Sequence, residues 1–203
     1  MSSDKAMLKN TPPDPRKIMI YWRARWRTVN EACALAAEEH RLGNFQAAAD
    51  IYLLVLGRIP DCAEFHNNRG VALQMMKRFE EALASYDKAI SLNSDYANAH
   101  FNRGTALKNL NRREDALASY DQALACKPDD AETQNNRAVL LQQLRRYDEA
   151  IASYDKAIAA KADHVMAHYN RGTALLSKRG HAGSGENVSE SLAIKTRFSR
   201  PFA

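Results

Sequence analysis

One short segment of this chain returns at a constant interval. Ala-Ser-Tyr-Asp-Lys-Ala-Ile at 84–90 comes back as Ala118–Leu124 and again as Ala152–Ile158, each time 34 residues on. Asn68-Arg69-Gly70 recurs in the same step as Asn102-Arg103-Gly104, Asn136-Arg137-Ala138 and Asn170-Arg171-Gly172. Two independent anchors with one period impose a repeat architecture, in which a unit buries its apolar side only by stacking on its neighbours. The period lays out units 29–62, 63–96, 97–130, 131–164 and a degenerate 165–198. Residues 1–14 are expected to be a flexible start, 15–28 a flanking helix and 199–203 a tail.

Each unit reads as two helices. In 97–130 the first spans about Ala97 to Leu110, Asn111-Arg112-Arg113 turns the chain, and the second spans Glu114 to Lys127 before Pro128 stops it. Small residues mark where the helices touch: Gly70, Gly104, Ala138 and Gly172 on the first, Ala48, Ala82, Ala116 and Ala150 on the second. Tyr52, Tyr86, Tyr120 and Tyr154 are expected to fill the space between units. With 8 Gly and 6 Pro in 203 residues and alanine frequent throughout, the composition is that of an all-α chain.

The pattern resembles the tetratricopeptide repeats. The small residue of the first helix, the alanines of the second, the aromatics Phe45, Phe79 and Tyr147 near the turn, and Pro60 and Pro128 at unit ends all match. The resemblance implies a right-handed solenoid of about five stacked antiparallel helix pairs. Two places depart from the family: His66, His100, Gln134 and His168 replace its first aromatic, and Arg69, Arg103, Arg137 and Arg171 replace a leucine. An arginine stem can lie buried while its head reaches a carboxylate, so these arginines are expected to pair with Asp87, Asp121 and Asp155.

Catalytic and phosphate-binding motifs are absent from the sequence, and no enzyme, cofactor or metal is expected. His66, His100 and His168 sit one per unit, about 8–10 Å apart in a stack, too far to share an ion. Three cysteines, Cys33, Cys62 and Cys126, stand widely spaced and argue against a disulfide framework. No stretch is apolar for the length of a bilayer span, the first fifteen residues lack a secretory core, and a cytoplasmic setting is expected. The net charge of +5 belongs to the ends: residues 1–28 hold seven basic and two acidic groups, 177–203 five and two, and 29–176 seventeen and twenty. A mildly acidic body argues against nucleic acid as partner.

In the family, the inner faces of the first helices line a concave groove. Helical spacing places Glu64, Asn67, Asn68, Val71, Gln74 and Met75 on one such stripe, and the next units add Phe101, Asn102, Thr105, Lys108, then Asn135, Asn136, Val139, Gln142. The expected partner is a protein or peptide, and the column Asn68, Asn102, Asn136 and Asn170 suits the peptide groups of an extended segment, since an amide both donates and accepts. The other reading of each asparagine is a brace between helices. The Lys and Asn pair with which chaperone-binding members hold a C-terminal carboxylate is missing, because Cys33 and Ala37, then Phe101 and Thr105, occupy the comparable places. A similar asparagine column exists in the repeat arms of O-linked N-acetylglucosamine transferases. The main expectation is therefore a non-catalytic interaction scaffold, and the alternative a separated or truncated recognition arm of such an enzyme.

Both ends add expectations. Asp14 and Pro15 suit a helix start, after which Ile18, Trp22 and Trp26 recur at i, i+4 and i+8 among Arg16, Lys17, Arg23, Arg25 and Arg27. Such a helix covers the first unit or, in a second reading, contacts a membrane surface. At the other end three glycines and two serines interrupt the fifth unit between Arg179 and Glu190, so a covering helix is expected to be missing, with weak self-association as one outcome.

Overall fold

The computed structural model describes residues 19–22 and 25–180. Among them the backbone forms a two-stranded hairpin, β1 (Met19–Trp22) and β2 (Arg25–Thr28), followed by helices α1 (Val29–Arg41), α2 (Phe45–Leu56), α3 (Ala63–Met75), α4 (Phe79–Leu92), α5 (Ala97–Asn109), α6 (Arg113–Cys126), α7 (Ala131–Gln143) and α8 (Tyr147–Ala160). A last helix, α9, covers 165–180. The chain divides into two compact units, Met1–Ser94 and Asp95–Ala203. In the first, α1 packs on α2, α2 on α3 and α3 on α4; in the second, α5 packs on α6, α6 on α7 and α7 on α8. Each unit is thus a stack of helical hairpins.

The hairpins share one turn. Gly43, Lys77, Asn111 and Arg145 have φ of 82°, 61°, 62° and 61°, and each donates its N–H to the carbonyl three residues back while the next residue reaches five back. This double bond pattern closes the end of each first helix in a left-handed residue. Gly43 and Asn111 carry residue types that such a φ favours, so two of the four turns hide their geometry from the sequence. At the start of α1 the side chain of Thr28 accepts from the Glu31 N–H while Glu31 bonds the Thr28 N–H, a reciprocal cap.

Tyr52 meets the next unit, stacked on Phe65 with ring centroids 6.4 Å apart, whereas Tyr86 and Tyr120, expected between units, fill the space over a small residue of the first helix in their own hairpin. Added Cβ atoms at Gly70 and Gly104 would stand 2.6 Å and 2.7 Å from Cε1 of Tyr86 and Tyr120. Alanine occupies that place in α7 and is fully buried, as is Tyr154. These rings are buried together with Ala82, Ala116 and Ala150 and with Leu73, Leu107, Leu140 and Leu141 in the cores of the hairpins.

The expected helix over 15–28 is corrected at residues 19–22 and 25–28, which are antiparallel strands pairing Ile20 with Arg27 and Tyr21 with Trp26. Residues four apart share a helix face, yet they also share a strand face, because four is a multiple of the strand period of two. The spacing of Ile18, Trp22 and Trp26 therefore fits both, and tertiary packing selects the strand. Ile20, 3% exposed, joins Val29, Ala32, Ala36, Ile51, Tyr52 and Val55 in one core. The helix expected to open the fifth unit, Val165 to Lys178, lies within α9. Residues 181–203, with most of the glycine-rich interruption and the tail, lie outside the described residues, as do 1–14. No helix among the described residues is long and apolar enough to cross a membrane.

Candidate functional site

The residues singled out for binding fall on the first helices α3, α5, α7 and α9, and the structure sorts them by what their side chains touch. Asn67 is buried and donates through Nδ2 to Asn68 Oδ1 at 3.2 Å. Burial raises the Tyr52 phenol, Cys33 adds to the effect, and a hydrogen bond from Asn68 partly reverses it, which places the Asn68 amide against α2. In the other unit Asn170 Nδ2 donates to Asn135 Oδ1 at 3.2 Å, tying α9 to α7. Phe101 stacks at a tilt on Tyr120, with ring centroids 5.8 Å apart, and Thr105 Oγ1 lies 3.1 Å from the Tyr120 hydroxyl. Val71, Asn102, Asn136 and Val139 are half-buried, and Asn136 has no side-chain partner among the described residues.

A cavity of about 450 Å³ opens beside Asn135 and Asn136, lined also by Asp130, Glu132, Lys161, His164 and Met166. Asp130 is the N-cap of α7, accepting from the Thr133 N–H at 3.0 Å and from its hydroxyl. Burial opposes ionisation of this carboxyl, but the two Thr133 bonds and Lys127 outweigh it and hold the group below its ordinary range. The cavity therefore offers the Asp130 and Glu132 carboxylates, the Lys161 ammonium, the Asn136 amide and an apolar thioether within one space, a chemistry suited to a peptide backbone and an attached polar or apolar side chain. A larger crevice of about 790 Å³ between α6 and α8 includes Asp121, Gln134, Arg137 and Lys156.

The two departures from the repeat pattern have structural roles. Arg137 donates through Nε to Asp121 Oδ1 at 2.5 Å and through Nη1 to Ser153 Oγ at 2.6 Å, so one guanidinium ties α7 to α6 and to α8. Arg171 likewise meets Asp155 at 2.5 Å. At the other departure His66 Nε2 bonds the Pro60 carbonyl and His168 Nε2 the Ala162 carbonyl, both at 2.8 Å, while Gln134 Nε2 donates to the Pro128 carbonyl at 3.3 Å. Histidine and glutamine share the place because either can present an N–H to the loop six residues back.

Sequence spacing missed the tyrosine hydroxyls as neighbours of this face. Tyr86 donates to Gln74 Oε1 at 3.2 Å and Tyr154 to Gln142 Oε1 at 3.1 Å, in both cases across twelve residues. The signal was present as a recurrent Gln and Tyr at that offset. It breaks at Lys108, whose ammonium burial pushes below its ordinary range, and there Tyr120 turns to Thr105.

Models of the tetratricopeptide repeat match residues 63–96, 97–130 and 131–164. A comparison with curated protein sequences finds no match. Among solved structures, the crystal structure of MamA protein is similar over 86% of this chain and 97% of its own, at 20% identity and a TM-score of 0.68. MamA 41-end from Desulfovibrio magneticus RS-1 is similar over 85% of this chain and 97% of its own, at 16% identity and a TM-score of 0.69. The first TPR of Spaghetti (RPAP3), bound to the HSP90 peptide SRMEEVD, is similar over 58% of this chain and 93% of its own, at 25% identity and a TM-score of 0.56.

Proposed function

Since the chain belongs to the tetratricopeptide repeat family, we propose that it is a non-catalytic protein-interaction scaffold that takes an extended peptide along its first-helix faces. Repeats of this family are generally scaffolds without catalysis, and one similar structure is bound to an HSP90 peptide. The observation that carries the reading is the half-buried, unpartnered Asn136 amide beside a 450 Å³ cavity. A polar amide kept half out of water without a partner is ready for a peptide group, whereas Asn135 and Asn170 already bond each other and act as braces. Asn102 and Asn136 are the contact residues within the C-terminal unit, with Val139 and Met166 offering apolar surface and Asp130 and Glu132 favouring a basic side chain. A cytoplasmic setting and a peptide from a protein partner complete the reading.

The test is selection of peptides from a random library on the full chain, followed by titration of the best binders. Asn136→Ala combined with Asn102→Ala is expected to weaken them at least about tenfold, roughly 1.4 kcal/mol, with helicity unchanged by circular dichroism. Equal affinity in the double variant would remove the asparagine column from the mechanism.

A further inference from the structure

Helix α9 is apolar on the wrong side. It buries Ala167 and Ala174 completely, while Val165, Tyr169 and Leu176 on the opposite face are 76%, 67% and 72% exposed. Together with Gly172 these residues stand at i, i+4, i+7 and i+11, the spacing of a seam along which one helix meets another. The glycine is the informative member. A Cβ at Gly172 would meet nothing within 4 Å, although the same repeat place at Gly70 and Gly104 lies under a tyrosine ring. Among the described residues Gly172 is thus an open tyrosine socket, three residues from an exposed tyrosine.

We infer that this stripe docks a second copy of the chain, α9 against α9, antiparallel across a two-fold axis. Along the seam the order is Val165, Tyr169, Gly172, Leu176. Run antiparallel, it sets each Tyr169 opposite the other copy's Gly172 and each Val165 opposite Leu176, so a knob enters a hole twice and every apolar residue is covered. A parallel pairing would set ring on ring and glycine on glycine. Only the two-fold arrangement is self-complementary.

Charge and side-chain size favour the same occupant. Arg171 and Lys178 are off the seam and bound to Asp155 and Asp148 of their own chain, and Arg179, next on the seam after Leu176, runs past Val165 at the start of the other copy's α9, so two basic chains meet there without like charges in contact. The repeat register puts Val188, smaller than a tyrosine, where Tyr86, Tyr120 and Tyr154 stand, with glycine at 183 and 185. A two-fold contact uses the α9 seam of both copies, so the pair closes instead of growing. Four seam residues a side make a small contact, with a dissociation constant of about 10 to 100 μM.

Sedimentation equilibrium of the full chain over about a hundredfold range of concentration tests this, as a double-mutant cycle. Wild type is expected to dimerise. Tyr169→Ala and Gly172→Tyr alone each weaken the dimer at least about tenfold, and the two together, which exchange knob and hole, restore it to within about threefold. Ala138, fully buried at the repeat place of Gly70 and Gly104, shows that alanine serves as the hole. A monomeric wild type, single variants that dimerise as wild type does, or a folded exchange variant that stays monomeric would each overturn the proposal. So would a lower melting temperature for Gly172→Tyr at dilute protein, because that result means residues of the same chain fill the socket.

Discussion

At the scale of single residues, the arginines of the first helices act as staples that reach sixteen residues forward to a serine and sixteen back to an aspartate. Arg137 makes both bonds, to Ser153 and Asp121. Arg69 makes only the forward one, to Ser85 at 3.0 Å, and its Nε is buried without a partner. The cause is legible in the sequence: the aspartate place sixteen residues before Arg69 holds Leu53, which is 53% exposed. A buried donor without an acceptor costs about 1 to 3 kcal/mol. Leu53→Asp is therefore expected to stabilise the chain by about 0.5 to 1 kcal/mol after the lower helix propensity of aspartate is allowed for. Urea midpoints check it, and the gain should vanish when Arg69→Met is added. A midpoint that does not move, or that rises equally with Arg69→Met present, would show that the staple contributes nothing at this place.

Among the elements, the β1–β2 hairpin does the work assigned to a flanking helix, by other contacts than those expected. Ile20 is the residue whose burial couples the hairpin to α1 and α2. Truncating it to alanine is expected to cost about 2 to 4 kcal/mol and to expose the apolar ends of Val29, Ile51 and Val55. Amide exchange should then accelerate most in α1 and α2, since repeat arrays lose structure from the weakened end inward. Loss of protection spread evenly over α1 to α8 would contradict that picture. The turns after α1, α3, α5 and α7 hold one geometry with four residue types, glycine, lysine, asparagine and arginine. Stacking of the flanking helices, rather than local preference, holds Lys77 and Arg145 at positive φ.

For the molecule as a whole, the buried tyrosines set a limit on the alkaline side. Burial pushes the Tyr154 phenol up to about 12 and moves Tyr86 and Tyr120 in the same direction, with the Thr105 hydroxyl partly offsetting the shift at Tyr120. Below pH 10 these phenols are neutral in the folded and the unfolded chain and contribute no pH dependence. Above it the unfolded chain ionises first, so stability falls as the pH rises from 10 towards 12. Tyrosinate absorbance should appear together with loss of helicity; ionisation completed while the helices persist would mean that the rings are open to water. The sequence by itself determined the repeat, the helix pairs and the pairing of Arg137 and Arg171 with aspartate, because a period is a statement about contacts that every unit must repeat. Tertiary structure decided what the period leaves open. Strand or helix at 19–22 and 25–28 depended on the space around Ile20, since a spacing of four serves both. Which asparagines brace and which stay open depended on the neighbours of each, because one residue type at one repeat place meets a different partner in each unit. The exposed face of α9 likewise follows from what stands opposite Gly172, and no residue's own preference encodes that.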